Sequence, residues 1–371
     1  MSAFERSPEH KFAFGLPAPT EPWEFVYQLG DLGVWGIGFQ DDDLVPVGAS
    51  AAARHDILDK FSKALDSTGV VVSMARTNLA GHRVFGHGAF TAADRDVRRF
   101  AIQKAMRAID LGAELGSPLH DLPDGVEVVE SPAARSPRDA LARYREAVDF
   151  LCGYVREQGY PTRFAIEAEA VERPGASLLP TIGHALAFIA TLEHPEMVGL
   201  SAEVAHGTVA GGGARGVAQA VDAGKLLHVD LNAPPVELHE KDPCFGAASL
   251  RDAFFLVKLL AESGYNGPLH FDVDPQRLDE ADGFWDFAVG CMRTYRALAA
   301  KVRRFADDPE IRDALAESGA LELAEPTVGA FSTAAGRALS SECFDPDAMA
   351  PRRYPHQRLD QLVIDLVLGL R

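Results

Sequence analysis

Four cysteines in 371 residues, none in a CxxC pair, leave little basis for disulfides or thiolate metal sites. Cys152, Cys244, Cys291 and Cys343 are scattered along the chain. No run of eighteen apolar residues occurs, so no transmembrane helix is expected. The opening MSAFERSPEHKFAFG lacks the basic-then-apolar layout of a signal peptide, and a cytoplasmic location is expected. Neither a GxGxxG fingerprint nor a P-loop opens a helix-like stretch. Basic charge is scarce as well. Lys and Arg number 36 against 54 Asp and Glu, a formal net charge of −18. Such a surface repels phosphate backbones, so neither nucleic acid nor a membrane is an expected partner. What remains is an ordinary globular composition, 47% hydrophobic and 24% charged, in a chain long enough to bury a large core.

Short apolar runs alternate with longer amphipathic ones. The pattern predicts strands at Phe12–Leu16, Val34–Phe39, Val70–Met74, Glu114–Leu119, Phe164–Glu167, Val198–Glu203, Leu226–Leu231 and Leu269–Val273. Helices are predicted between them, at Thr91–Gly112, Asp139–Gln158, Gly183–Leu192 and Leu250–Ser263. Strand then helix, eight times over, predicts an α/β fold, a (β/α)₈ TIM barrel over residues 1–306. After Ala306 the alternation stops. Residues 307–371 read as a C-terminal helical arm, with helices in DDPEIRDALAESG and RLDQLVIDLVLGL. The apolar stretch Leu362–Leu370 needs a covering surface, either a neighbouring subunit or the chain's own barrel.

Four of the predicted strands end on an acid: Glu167, Glu203, Asp230 and Asp272. In a barrel the C-terminal ends of the strands converge on one face, where active sites are built. Four carboxylates gathered there repel one another unless a cation compensates them, and this oxygen set suits a hard divalent ion. A lone acid at a strand end is commonly only a helix cap. Beside this group stand His206, three residues after Glu203, and the run ELHEKD with Glu237, His239, Glu240 and Asp242. Glu203, His206, Glu240 and Asp242 would form a second, mixed oxygen and nitrogen site sharing Glu203, unless the run is simply a solvated loop. Two adjacent metals can clamp neighbouring substrate oxygens and activate a water.

The blocks FAFGL, FTAADRDVRRFAI, LLPTIGHALAFI, AGKLLHVDLN, GYNGPLHFD, GCMRTY and RLDQLVIDLVLG carry a resemblance to the short-chain, actinobacterial type of xylose isomerase, over essentially the whole chain. The resemblance implies a barrel with an interlocking C-terminal arm, usually in a tetramer. It also implies two divalent cations, Mg²⁺, Mn²⁺ or Co²⁺. It places the first on Glu167, Glu203, Asp230 and Asp272, and the second on Glu203, His206, Glu240 and Asp242, with Glu240 in place of the family's aspartate. The resemblance further implies that Asp242 holds the metal-bound water that moves the hydroxyl proton. Candidate catalytic residues are thus Asp242, Glu169, Gln40 and Asp43, and candidate substrate contacts Arg76, Asn232 and His206.

The pocket departs from the family. Its His-Asp-Asp-Asp after strand two is here Gln40-Asp41-Asp42-Asp43, and glutamine cannot exchange a proton near neutral pH. The lysine after strand five, which binds the oxygen at carbon 1, is Glu169, a change of two charge units that opposes carbonyl polarisation. Glu169 could also ligate a metal, act as a base or point away. The family's phenylalanine after strand three is Ala80, Arg76 stands where a threonine is usual, and the strand-four tryptophan-glycine-glycine gives way to Leu119-His120-Asp121. The loop after strand one, which donates an aromatic ring across a subunit interface, is deleted after Leu16.

Two readings follow. In one, the protein is a divalent-metal isomerase for a sugar or sugar-like polyol, with little or no activity on D-xylose or D-glucose. Arg76 in a more open pocket would then suit an anionic or larger substrate. In the other it is a catalytically silent homologue that keeps its metals and its oligomer, a tetramer or, with the loop deleted, a dimer. A metal-dependent nuclease is a third reading, opposed by the −18 charge.

Overall fold

The computed structural model describes residues 11–14, 21–123, 125, 132–134, 136–168, 177–204, 213–233, 244–271, 281–319, 327–350 and 354–371. Eight parallel strands close into a barrel in chain order. They are β1 Phe12–Phe14, β2 Gly36–Gln40, β3 Val71–Arg76, β4 Leu119–Leu122, β5 Arg163–Glu167, β6 Val198–Glu203, β7 Leu226–Asp230 and β8 Leu269–Phe271. Closure comes from β8 on β1, with Phe12 opposite Leu269 and Phe14 opposite Phe271. A parallel sheet with helices outside and side chains inside is buried on both faces. Accordingly every residue of β6, and all of β5 but Arg163, is buried.

The helices are α1 Pro22–Asp31, α2 Asp41–Leu44, α3 Ala51–Thr68, α4 Arg95–Glu114, α5 Pro137–Gln158, α6 Ile182–Ile189, α7 Gly213–Asp222, α8 Leu250–Glu262, α9 Ala281–Asp307, α10 Pro309–Glu317, α11 Thr333–Ser341, α12 Pro346–Met349 and α13 His356–Leu368. Local chemistry sets their ends. Asp94 accepts from the Asp96 and Val97 N–H groups to start α4. Ser136 followed by Pro137 starts α5, and Gly159, at φ 70°, stops it. No described helix is long and apolar enough to cross a membrane.

The fourth strand differs from expectation. Helix α4 runs through Glu114, and β4 occupies Leu119–Leu122 rather than Glu114–Leu119. Two of its four residues, His120 and Asp121, are ionisable, yet all four are buried.

The chain forms two compact units. The first, Met1–Ser249 with Glu262–Thr294, holds the barrel strands. The second comprises Leu250–Ala261 and Tyr295–Arg371. In it α13 packs against α10, and Leu362, Val363 and Leu366 are buried while Ile364, Leu368 and Leu370 are exposed. Arg371 ties the chain end to α10, reaching Glu310 at 2.6 Å and Asp308 at 3.2 Å. Helix α11 buries no residue, and Phe331 and Phe344 beside it are 88% and 64% exposed.

Candidate active site at the strand ends

Gln40, Arg76, Glu167, Glu203 and Asp230 are the last residues of β2, β3, β5, β6 and β7. Parallel strands closed in order therefore bring them to one rim, the catalytic face of a barrel. A cavity of about 190 Å³ opens there, lined in part by Gln40, Asp43, Arg76, Asp121, Glu167 and Asp230. That is below the ~300–1,000 Å³ usual for drug-sized ligands, and suits a small metabolite.

Arg76 does not reach outward. Its Nε lies 2.6 Å from Asp121 Oδ2, and its terminal nitrogen pairs with Glu167 Oε2. Arg76 and Asp121 are register partners across β3 and β4, so the first contact follows from the sheet itself. Both carboxylates are buried, at 1% and 3% exposure. Burial pushes the Asp121 carboxyl up, and the Arg76 charge only partly offsets it. Next to Asp121, His120 is fully buried and bonded to Thr77 Oγ1 at 2.9 Å. Desolvation, with the Arg76 charge adding to it, lowers its pKa to about 3, so the imidazole is neutral.

On the opposite arc, Glu203 and Asp230 are register partners of β6 and β7. Asp230 is clasped from both sides. His270 Nδ1 lies 3.1 Å from one oxygen, and His228 Nδ1 lies 3.3 Å from the other. Ser201 Oγ donates to Asp230 at 3.1 Å and sits 2.7 Å from His228 Nδ1. Burial alone would raise the Asp230 pKa, but the two histidines outweigh it and hold the carboxylate anionic, far below its ordinary range. Gly38 makes room for this clasp: a Cβ there would lie 3.3 Å from His270 Cε1. Asn232, expected at the substrate, is buried and donates its amide to Glu203 Oε1 at 2.7 Å.

The run Gln40-Asp41-Asp42-Asp43 divides by role. Asp41 accepts the Asn78 N–H at 2.7 Å and pairs with Lys104, which also reaches Asp42 at 2.8 Å. Both aspartates are thus spent on α4 and the loop after β3. Asp43 faces the cavity and accepts a long bond, 3.4 Å, from Gln40 Nε2. Partial burial, then the charges of Asp42 and Asp41, raise its pKa.

The structure therefore gathers Gln40, Asp43, Arg76, Glu167 and Asp230 around one cavity and sets Glu203 and Asn232 next to Asp230 along the strands. Glu169, His206, Glu240, Asp242 and Asp272 lie outside the described residues, as do Glu237 and His239. Sequence reasoning passed over Asp121, Ser201, His228 and His270 as site residues. A signal for the histidines exists: His228 stands two residues before Asp230 and His270 two before Asp272, the spacing that repeats one face of a strand.

Three buried carboxylates, Glu167, Glu203 and Asp230, end consecutive strands and are of the oxygen type a hard divalent cation takes, but among the described residues their oxygens do not converge on one point. The ring nitrogens on Asp230 are the outer support that such ligands commonly have. His228, Asp230 and His270 offer ligand atoms within 4.8 Å of one another, a mixed nitrogen and oxygen donor set open to borderline divalent ions such as Co²⁺. One feature resists the fit, because Glu167 already has a cationic partner in Arg76.

A family model described as xylose isomerase-like TIM barrel matches residues 26–293. Among solved structures, the apo form of 3-keto-D-glucoside 4-epimerase from E. coli superposes with a TM-score of 0.58 at 16% identity, covering 77% of this chain and 99% of that one. D-psicose 3-epimerase from Clostridium cellulolyticum H10, solved with D-tagatose, gives 0.61 at 13% identity, with 78% and 99% covered. A xylose isomerase domain protein from Alicyclobacillus acidocaldarius gives 0.60 at 15%, with 79% and 99% covered. At these identities the likeness establishes the fold.

Proposed function

This chain belongs to the xylose isomerase-like TIM barrel family, and from that premise we propose that it is a divalent-metal-dependent sugar isomerase or epimerase, a divergent relative of the short-chain actinobacterial xylose isomerases. The observation that carries this reading is the pair of buried strand-end carboxylates Glu167 and Asp230 opening on a small polar cavity, with the buried Glu203 beside Asp230 in the sheet. Asp272 would complete the first cation site, and Glu203 with His206, Glu240 and Asp242 the second. A bound Mg²⁺, Mn²⁺ or Co²⁺ would supply Lewis-acid polarisation of adjacent sugar oxygens.

The chain's own groups do the rest. Asp230, held by His228, His270 and Ser201, keeps a fixed negative oxygen at the cavity floor. Asp43, with its raised pKa, is the cavity carboxyl suited to exchange a proton, and Gln40 orients it. Among the described residues Arg76 is the cation lining the cavity, and in the metal-free protein two carboxylates engage it. The substrate class we propose is a neutral polyhydroxy ketose or aldose, the class named for the epimerases of similar fold. The test is a panel of neutral ketoses and aldoses incubated with the Mn²⁺-loaded protein and followed by ¹³C NMR. Conversion of at least one member is expected, and the absence of any conversion would refute the enzyme reading.

The alternative is a silent homologue that keeps the fold, and one observation favours it. Arg76 neutralises Glu167 without a metal, so the carboxylate arc can persist in a protein that no longer turns over. In either case the exposed segment around α11, with Phe331 and Phe344, is proposed as an arm that covers a second copy in a dimer or tetramer.

A further inference from the structure

We propose that Arg76 is a tethered counter-ion that occupies the first cation position, so that a divalent ion gains Glu167 only by displacing its guanidinium. The inference rests on the metal reading above and concerns how that site is controlled. Three observations carry it. Arg76 pairs directly with Glu167, the member of the carboxylate arc on β5. Its other edge is anchored by Asp121 at 2.6 Å, and that carboxylate is 1% exposed, so the arginine is held over the site rather than swinging freely. The Arg76 side chain is 35% exposed and lines the cavity, which leaves it a way out.

The electrostatics follow directly. A guanidinium carries one unit of charge spread over a planar fork and cannot be deprotonated. It satisfies Glu167 as a buried carboxylate requires, but a second cation at the same oxygen would face like-charge repulsion at close range. Cation entry is therefore an exchange, with Arg76 withdrawn as the ion arrives. Asp121 retains the displaced guanidinium, so the arginine stays in the cavity, where its donors then face the bound ligand. Binding of the ion and the presentation of Arg76 to a substrate oxygen become one event.

The test compares Mn²⁺ binding to the full chain by calorimetry and by electron paramagnetic resonance of the free ion. Arg76→Gln removes the competitor and should tighten Mn²⁺ binding tenfold or more. Arg76→Lys, which keeps the charge without the fork, should fall between it and wild type. Arg54→Gln removes the same charge from an exposed pair with Glu114 and should shift binding less than twofold. A crystal of the wild-type protein soaked in Mn²⁺ provides a check that needs no variant, and should show Arg76 withdrawn from Glu167. Equal Mn²⁺ affinity in Arg76→Gln and wild type, or a soaked crystal with Arg76 and the ion both on Glu167, would overturn the proposal. If no form binds Mn²⁺, the metal reading falls and takes this proposal with it.

Discussion

Arg76 at the end of β3 pairs with Glu167 at the end of β5, passing over β4 and taking Asp121 on the way. A charge supplied by the protein thus sits where we propose that a cation binds. This pairing makes the balance between protein cation and metal cation the central question about the molecule.

Divalent cations are expected to bind and to raise thermal stability, and Glu203→Gln to weaken that effect most, since Glu203 is the residue shared by both proposed sites. A ligand at 100 times its Kd stabilises by about 2.7 kcal/mol, a shift that scanning calorimetry resolves. A melting temperature indifferent to Mn²⁺, Mg²⁺ and EDTA would contradict the expectation.

D-xylose and D-glucose should be converted at or near background. Gln40 cannot act as the ring-opening acid–base group, which typically contributes about 10²–10⁴-fold. The family resemblance sets Glu169 in place of the lysine that binds the carbon-1 oxygen, and the loss of such a stabiliser typically costs about 10²–10³-fold. Ketose formation with each of the three metals, measured beside an authentic xylose isomerase, checks this, and comparable turnover would refute it.

Stability should fall with acid because of His120. Its folded pKa, about 3, lies below the unfolded value of 6.5. The unfolded chain therefore binds the proton first, and stability is full above about 6.5 and lost as pH falls toward 3. The loss approaches about 1.4 kcal/mol per pH unit within that window. His120→Gln, which keeps a partner for Thr77, should flatten this part of the urea-denaturation profile between pH 6.5 and 5 without altering it at pH 8.

Lys104→Met should destabilise the barrel by about 1–3 kcal/mol, less than the ~3–5 of a fully buried pair because these groups retain some solvent. It leaves Asp41 and Asp42 without their shared cation. Denaturant titration would measure the loss, and a change within error of zero would show that water replaces the lysine.

Light scattering at micromolar concentration should report a dimer or tetramer, and Phe331→Ser with Phe344→Ser should shift it toward monomer. A monomeric wild type would end the assembly reading.

The barrel was legible because parallel strands buried on both faces leave short, largely apolar runs, as at Phe164–Ile166. The acids Glu167, Glu203 and Asp230 were legible for the same reason, since a charge closing an apolar run marks a strand end. Strand β4 was not. His120 and Asp121 break its hydrophobic signature, and their burial depends on Thr77 and Arg76, neighbours supplied by another strand. Equally hidden was the sorting of Asp41, Asp42 and Asp43, because Lys104 lies some sixty positions further on and only the packing of α4 brings it back. The bond that Asn232 donates to Glu203 was likewise not visible in the sequence, because it crosses from just beyond β7 to β6.

Gly38 carries no chemistry, yet it limits what the site can become. Any side chain there would crowd His270, and His270 sets the orientation of Asp230. Positions 40 and 76, at the open ends of their strands, can exchange residues without touching this clasp. An evolving or engineered lineage would therefore vary the cavity's chemistry from β2 and β3 outward, while the absent side chain at position 38 keeps the β7–β8 half of the rim fixed.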